Sequence, residues 1–251
     1  MAKIDLNCDL GESFGRYTLG LDDQVIPLIT SANVACGMHA GDPVVMARTV
    51  FLAAASGVAI GAHPGYPDLQ GFGRRNMALS PDEAYAFVLY QVAALSGFCK
   101  AQGVALHHVK PHGQLYNSAA KDEELAAAIA RAVYDADPNL VLVGLAGSKL
   151  IDAGRAQGLR CAGEFFADRN YTSEGALVPR SQENAVITDE DQAVSRTVAA
   201  VKSGKVVAVD GTEVAVDFDT ICVHGDGPKA LAFVKKIRAA LADAGVEIKA
   251  L

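Results

Sequence analysis

Acidic, basic and imidazole side chains recur beside glycine at the ends of six short apolar runs in this chain of 251 residues. Carboxylates, imidazoles and amines that share a pocket can transfer protons, hold a divalent metal ion or stabilise a developing negative charge. Because the runs are far apart in the chain, only a fold that gathers strand ends can combine them. The six segments are IDLNCDLGE (4–12), ANVACGMHAGD (32–42), VAIGAHPGYPD (58–68), HHVKPHG (107–113), CAGEFFADR (161–169) and ICVHGDGP (221–228).

The first segment supplies two carboxylates, Asp9 and Glu12, and Asn7 lies near the end of the same run. A carboxylate at this position could hold a metal ion, orient a histidine or accept a proton, so Asp9 is a candidate catalytic residue. Glu12 and Asn7 are candidate ligands for a substrate or a phosphate. The alternative for Asp9 is a structural role, because Asp and Asn also favour turns and helix caps.

His39 and His63 follow the second and third apolar runs, and glycine near each of them lets backbone approach a ligand closely. Together with Asp9 they are candidate ligands of a divalent metal ion, or a catalytic acid–base set that works without one. The H-E-x-x-H spacing that is typical of one class of zinc site is absent. Both interpretations therefore stay open.

The fourth segment, HHVKPH (107–112), has the highest density of titratable groups. Alternation along a strand sends His108 and Lys110 to one face and His107 to the other. We expect Lys110 to point into the pocket, where it could bind a carboxylate or phosphate or stabilise an oxyanion. Pro111 would end the strand and place His112 over the pocket as a further catalytic residue, whereas His107 is expected to pack against a helix.

Three arginines and one glutamate are candidate ligands for a substrate or a phosphate. Arg74 and Arg75 are adjacent in GFGRRN, Glu164 lies in the fifth segment, and Arg180 lies on the long loop that follows it. Arginine binds carboxylate or phosphate in a fork, although a solvated arginine on a surface loop is the alternative for each of them. The length of the loop and its lack of periodicity predict a lid.

The sixth segment ends in a candidate anion site formed by His224, Gly225, Asp226 and Gly227, directly before a predicted helix start at Pro228. Backbone N–H groups and the helix dipole at such a position could bind a substrate or a phosphate. The chain contains neither G-x-x-x-x-G-K-[ST] nor G-x-G-x-x-G. A nucleotide would therefore be bound in a non-standard way, or largely by a partner.

The elements between these segments predict an α/β fold of the (β/α) barrel class, TIM-like and with about seven strands. Predicted helices begin at capping sequences such as Asp42-Pro43 and Ser80-Pro81-Asp82-Glu83. The length suits one barrel, a single domain over 1–251, with its active site at the carboxyl ends of the strands. A doubly wound open sheet is the alternative. The predicted strands are about 4–8, 32–35, 58–61, 106–109, 140–144, 160–163 and 221–223.

One stretch interrupts the repeat of strand and helix. Residues near 205–217 read as two alternating runs on either side of Asp-Gly, which predicts an inserted β-hairpin before the last strand.

Composition restricts the classes of function. A net charge of −7 without clustered basic residues argues against nucleic acid as a partner. We find no apolar run that approaches the roughly 20 residues of a membrane span, and Met1-Ala2-Lys3 leaves no room for a secretory signal. Five scattered cysteines without a C-x-x-C pair indicate reduced thiols. These features predict a soluble, cytoplasmic protein rather than a secreted or membrane protein.

The motifs together resemble the LamB/YcsF lactam-utilisation family, in the same order and over essentially the whole chain. The runs that carry this resemblance are DLNCDLGESFG, SANVACGMHAGDP, GAHPGYPDLQGFGRR, VKPHGQLYN, EFFADRNY with LVPRS, and ICVHGDGP. The resemblance implies a barrel similar to that of polysaccharide deacetylases and glycoside hydrolases. It also implies a hydrolase of the 5-oxoprolinase type, which opens 5-oxo-L-proline to L-glutamate with ATP as co-substrate and acts with partner subunits B and C.

That chemistry assigns hypothetical roles to the candidates. Asp9 with His39 or His63 would activate water, and Lys110 with the backbone of 225–227 would stabilise negative charge. The substrate carboxylate would bind to Arg74, Arg75 or Arg180. Magnesium could accompany ATP, and a homo-oligomer is compatible with the sequence. The rival functions are a stand-alone metal-dependent amidohydrolase or deacetylase, and a non-catalytic subunit that binds the lactam.

Overall fold

Seven parallel strands close into a barrel in the computed structural model, which describes residues 2–223 and 228–251. The barrel is closed because its first strand pairs both with the second strand, with Asn7 beside Ser31, and with the last strand, with Asp5 beside Thr220. The predicted seven-stranded barrel is confirmed, and the open doubly wound sheet is excluded. In order around the barrel the strands are β1 (Lys3–Leu10), β2 (Ser31–Ala35), β3 (Ala59–His63), β4 (His108–Val109), β5 (Val141–Leu145), β6 (Arg160–Phe166) and β9 (Thr220–Val223).

A hairpin accounts for the break in the repeat between β6 and β9. Its strands, β7 (Lys205–Val207) and β8 (Glu213–Ala215), are antiparallel, and Gly211 in the turn has a φ of +88°. The hairpin predicted near 205–217 is therefore confirmed. A further strand, β10 (Glu247–Ile248), pairs in parallel with the start of β1. Two residues are too few to show a periodic pattern, so the sequence did not predict it.

The described residues form eight α-helices, and sequence-local signals fix where the longer ones begin. Asp42 accepts hydrogen bonds from the N–H groups of Val44 and Val45, and Ser80 with Glu83 forms the predicted capping box. A 3₁₀ turn, Ile26–Leu28, follows the first helix. The helices are α1 (Asp22–Val25), α2 (Pro43–Ala55), α3 (Pro81–Ala101), α4 (Gly113–Ala119), α5 (Glu123–Ala136), α6 (Lys149–Gln157), α7 (Glu190–Ser203) and α8 (Pro228–Asp243).

Within the described residues, α3 is the one helix long and apolar enough to cross a membrane by length and composition alone. One such helix is weak evidence for a membrane span, because a helix buried in the core of a folded domain passes the same test. The position of α3 in the fold explains its composition, because Val88, Val92 and Leu95 are buried in the main hydrophobic core. We therefore interpret α3 as a helix of the outer layer whose apolar face packs on the barrel.

Alternate residues of β1 have different surroundings. The even-numbered residues join the hydrophobic core between strands and helices, whereas Asp5, Asn7 and Asp9 contact polar groups inside the barrel. Asp5 accepts hydrogen bonds from Ser31 and Thr220, which stabilise a carboxylate whose pKa is raised by burial. A polar interior therefore leads up to the carboxyl end of the barrel, where the functional candidates lie.

Candidate active site

Lys110 follows β4 and is enclosed by polar groups inside the barrel. Its ammonium group donates to Glu164 Oε1 at 2.7 Å, Asp9 Oδ1 at 3.0 Å and Asn7 Oδ1 at 3.1 Å. Burial acts to lower the pKa of Lys110, but the carboxylates, Asp9 first among them, hold that pKa well above its ordinary value. Lys110 is therefore charged, and its three protons are engaged by these groups.

Asp9, on β1, has two oxygens in different surroundings. Oδ1 accepts hydrogen bonds from Lys110 and from Asn33 Nδ2, the latter at 2.9 Å. Oδ2 lies 3.3 Å from His63 Nε2, and the Asp9 side chain is 17% exposed. One oxygen is thus held in place while the other faces an imidazole at the edge of a cavity. A general base that a ligand can reach needs this arrangement.

His63 and His112 each have one ring nitrogen against a backbone carbonyl. His63 Nδ1 lies 2.7 Å from the carbonyl oxygen of Lys110, and His112 Nε2 lies 2.8 Å from that of Phe72. A carbonyl oxygen only accepts, so both of these nitrogens carry the proton. The other two nitrogens, His63 Nε2 and His112 Nδ1, lie 3.0 Å apart. Burial, followed by electrostatic interaction with His63, lowers the pKa of His112 to about 3.

His39 lies behind this pair and is 1% exposed. Its ring stacks on that of His112 with centroids 3.6 Å apart, and neither of its nitrogens has a hydrogen-bond partner among the described residues. Burial, followed by His112 and His63, holds the pKa of His39 well below its ordinary value. Two glycines make room for it, since a Cβ at Gly65 would lie 2.6 Å from Nδ1 and one at Gly73 would lie 2.8 Å from Cβ.

The loop beside these histidines contains a strained residue. Phe72 has a φ of +55°, and it is the one non-glycine residue among those described whose φ is positive. Its carbonyl orients His112, and its ring packs edge-on against His39 and His112. A non-glycine residue in the left-handed region costs on the order of 1–3 kcal/mol. The contacts of the surrounding loop must hold Phe72 in place, and this strain lies directly against the candidate site.

A cavity of about 590 Å³ lies above Asp9 and Lys110 at the carboxyl end of the barrel. This volume is within the range of small-molecule sites. Arg74 and Arg180 both contribute to its walls, and residues 176–181 of the long segment between β6 and α7 form one side. The polar residues of the lining are Asp9, Glu12, His63, Arg74, Asn76, Lys110, His112, Gln114, Tyr116, Asn117, Ser118, Lys121, Arg169, Arg180 and Ser181.

Three residues that we expected to bind substrate do not line this cavity. Arg75 forms an ion pair with buried Asp68 and extends outward, with 65% of its side chain exposed. Asn7 and Glu164 are 2% and 0% exposed, and both contact Lys110 below the cavity floor. We therefore correct these assignments, because each group is engaged by another side chain of the fold. The candidates His224, Gly225, Asp226 and Gly227 lie outside the described residues.

Other groups at the site were not singled out in the sequence. Asn33 lies opposite Asp9 in the register of β1 and β2, and a polar residue within the apolar run SANVA was the available signal. Tyr116 is buried, and desolvation followed by the charge of Glu164 raises its pKa well above the ordinary value. Arg169 donates to the carbonyl of Val178 at 2.6 Å and so anchors the wall of the cavity.

His107 differs from its expected packing against a helix. Its Nε2 lies 3.1 Å from the carbonyl oxygen of Leu251, the last residue of the chain, so it contacts the C-terminus instead. Its neighbour His108 does face the barrel interior, where Nε2 lies 2.8 Å from Asn33 Oδ1.

Metal-ligating atoms of Glu12, His39, His63 and His112 all lie within 4.8 Å of one another. This set differs from the predicted one of Asp9, His39 and His63. Asp9 is engaged by Lys110 at Oδ1, whereas Glu12 Oε1 lies 3.6 Å from His39 and 3.7 Å from His112.

Comparisons with known proteins agree on one family. The profile of the LamB/YcsF family matches residues 4–251. A protein from Tolumonas auensis that is named as a subunit of 5-oxoprolinase is 61% identical to this chain, over 100% of both lengths. A protein of the same name from Bacillus subtilis is 58% identical, over 100% of this chain and 98% of its own length. The crystal structure of a lactam utilization protein from Thermus thermophilus aligns with a TM-score of 0.94 at 52% identity, over 99% of this chain and 100% of that one. The chain therefore belongs to the LamB/YcsF family.

Proposed function

We propose that this chain is the lactam-binding catalytic subunit of an ATP-dependent 5-oxoprolinase, which converts 5-oxo-L-proline to L-glutamate. Its relatives are named as one subunit of 5-oxoprolinase, which supports this enzyme and a division of labour with subunits B and C. The observation that carries the catalytic part is the Asp9–His63 pair, which faces a cavity whose walls include Arg74 and Arg180. A cytoplasmic location accords with five cysteines that are all free.

The arginines suit the acidic substrate. 5-Oxoproline carries one carboxylate, and Arg74 and Arg180 are the lining residues whose guanidinium groups could hold it in a fork. Arg74 lies over the ring of Phe72, with its guanidinium carbon 5.0 Å from the ring centroid, which restricts its motion. A carboxylate bound here would place the lactam between the arginines and Asp9.

An unstrained lactam is a poor electrophile, which explains why the reaction needs ATP. Transfer of the γ-phosphoryl group to the lactam oxygen forms an O–P bond and releases ADP. Water then adds to the activated carbon and loses its proton to Asp9, oriented by Lys110 and Asn33. Protonation of the ring nitrogen lets the C–N bond break. The resulting acyl phosphate takes a second water and gives the side-chain carboxylate of glutamate and inorganic phosphate.

In this scheme Lys110 is a positioning residue. All of its protons are engaged by Asp9, Glu164 and Asn7, so a developing oxyanion would have to displace one of these partners. We therefore revise its proposed role from binding the oxyanion to fixing the geometry of Asp9. The phosphoryl donor is assigned to the assembled enzyme, and no residue of this chain is assigned to ATP.

The test is reconstitution with the partner subunits. The chain is incubated with 5-oxoproline and ATP, with and without candidate subunits B and C, and both glutamate and phosphate are followed. We expect stoichiometric formation of both products only in the complete mixture. Amide hydrolysis by this chain alone without ATP would identify a stand-alone amidohydrolase instead. Turnover in the complex that is unaffected both by Asp9→Asn and by substitution of His39 and His63 would identify a subunit that only binds the lactam.

A further inference from the structure

Two imidazole lone pairs point at each other beside the cavity. The proton of His63 is on Nδ1 and that of His112 is on Nε2, because each of these nitrogens donates to a backbone carbonyl. In neutral rings the facing atoms, His63 Nε2 and His112 Nδ1, are then both acceptors, yet they lie only 3.0 Å apart. Two acceptors at this distance repel each other unless a positive species lies between or beside them.

The other groups around this point are also acceptors. Asp9 Oδ2 lies 3.3 Å from His63 Nε2, and Glu12 Oε1 lies 3.7 Å from His112 Nδ1. The ammonium group of Lys110 lies nearby but donates to the other oxygen of Asp9 and to Glu164.

His39 provides an independent observation. Its residue is only 1% exposed, it lies within 4.8 Å of the other donors, and neither ring nitrogen has a hydrogen-bond partner among the described residues. A buried polar ring without partners costs free energy unless it serves another purpose. Gly65 and Gly73 leave space for this ring where any larger residue would collide with it, so the fold admits the imidazole at this point.

We propose that Glu12, His39, His63 and His112 form a site for a divalent transition-metal ion of the zinc type. Ligand distances of about 2.0–2.1 Å in a tetrahedron correspond to separations between donor atoms of about 3.4 Å. Three of the observed separations bracket this value, at 3.0 Å for the two facing nitrogens and 3.6 Å and 3.7 Å for the contacts of Glu12, and all four donor atoms lie within 4.8 Å of one another. Three imidazoles and one carboxylate favour a borderline ion over magnesium or calcium, which prefer oxygen ligands.

The contacts of the donors with the rest of the fold agree with this assignment. Metal-bound histidines usually donate their second N–H to a backbone carbonyl or a carboxylate, as His63 and His112 do here. His39 needs one adjustment, because its ring is parallel to that of His112 at 3.6 Å and must turn to direct a lone pair at the same ion. With no hydrogen bond of its own among the described residues, the His39 ring loses none by turning.

An ion at this position would adjoin Asp9 and the cavity, where it could polarise a bound water or a lactam oxygen. The inference does not depend on the proposed ATP-dependent reaction, because metal uptake is measured without substrate or partner subunits. A chain that binds metal and lacks 5-oxoprolinase activity would support the site and contradict the proposed function. A chain that shows 5-oxoprolinase activity with its partner subunits but binds no metal would support the proposed function and contradict the metal site.

The experiment uses the untagged full chain, stripped of metal with a chelator and then titrated with zinc by calorimetry. Cobalt(II) is titrated in parallel, and its visible absorption reports the geometry of the bound ion. We expect one ion per chain and the intense visible bands of tetrahedral cobalt. His63→Gln and His112→Gln should each weaken zinc binding by about 10–100-fold or more. Loss of a residue that only supports a metal ligand already weakens binding by this factor, and these variants remove a ligand itself.

His107→Gln is the matched control, since this histidine contacts the C-terminal carbonyl and not the cluster. It should bind zinc like the unaltered chain, and circular dichroism checks that all variants are folded. Absence of saturable zinc binding by the folded chain would overturn the proposal and leave a proton shared between His63 and His112 as the explanation. Equal binding by His63→Gln, His112→Gln and His107→Gln would also overturn it, because the ion would then be held elsewhere.

Discussion

The buried lysine makes the sharpest prediction about stability. Among the described residues, Lys110 supplies the one ammonium group that contacts Glu164 and Asp9, and Lys110→Met removes it. The side chains of Glu164 and Asp9 are 0% and 17% exposed. Removal of one partner from a buried ion pair typically costs about 3–5 kcal/mol, because the remaining charge stays buried without compensation. For a chain of this size, 1 kcal/mol corresponds to about 2–4 °C in Tm, so the variant should melt about 6–20 °C lower.

Thermal melts at pH 7 followed by circular dichroism measure this loss. Lys149→Met is the matched control, because Lys149 pairs with Glu123 at 2.7 Å but both side chains are largely exposed. Solvent screens such a pair, so the control should melt close to the unaltered chain. The double variant Lys110→Met/Glu164→Gln should recover part of the loss, since a neutral amide replaces the stranded carboxylate. A Lys110→Met chain as stable as the control would refute our interpretation of the barrel interior.

Three further predictions concern packing, pH and substrate binding. Gly61→Ala should destabilise the barrel because the new Cβ would overlap the ring of His108, whereas Gly97→Ala, in an open helical position, should raise stability by about 0.5–1 kcal/mol in urea melts. Burial, followed by electrostatic interaction with His107 and with Lys110, holds the pKa of His108 well below its ordinary value, so at acidic pH the unfolded chain binds a proton that the folded chain does not. Stability should therefore fall as the pH drops below about 6.5, by up to about 1.4 kcal/mol per pH unit for this group, and a urea series that shows no such slope would contradict it. Arg74→Ala should raise the KM for 5-oxoproline in the reconstituted enzyme, while Arg75→Ala should leave it near normal because that arginine is engaged by Asp68; equal effects would count against the cavity assignment.

The fold could be predicted from the sequence because its signals are local. Capping residues such as Ser80 and Glu83 mark where helices begin, and the Asp-Gly turn marks the hairpin. Alternation in β1 puts apolar side chains outward, and the polar ones, Asn7 and Asp9 among them, inward.

The roles of individual side chains could not be read in this way, because they depend on partners that are distant in sequence. Glu164 looks like a substrate ligand until its contact with Lys110 is seen. Arg74 and Arg75 are adjacent in sequence, but only the three-dimensional position of Asp68 separates the cavity residue from the structural one. Glu12 and His112 join His39 and His63 because several loops converge, which no spacing within one segment records.

The catalytic role of Asp9 is tested most directly by the turnover of Asp9→Asn in the reconstituted three-subunit enzyme, with glutamate and phosphate followed together. Asparagine keeps the size of the side chain and can still contact Lys110 through its oxygen, but it cannot accept a proton from water. We expect 5-oxoproline to bind and glutamate formation to fall by about 10²–10⁴-fold, the usual contribution of a general base. Glutamate formation at a near-normal rate would contradict the assignment of Asp9 as the base, and with it the catalytic role of this barrel.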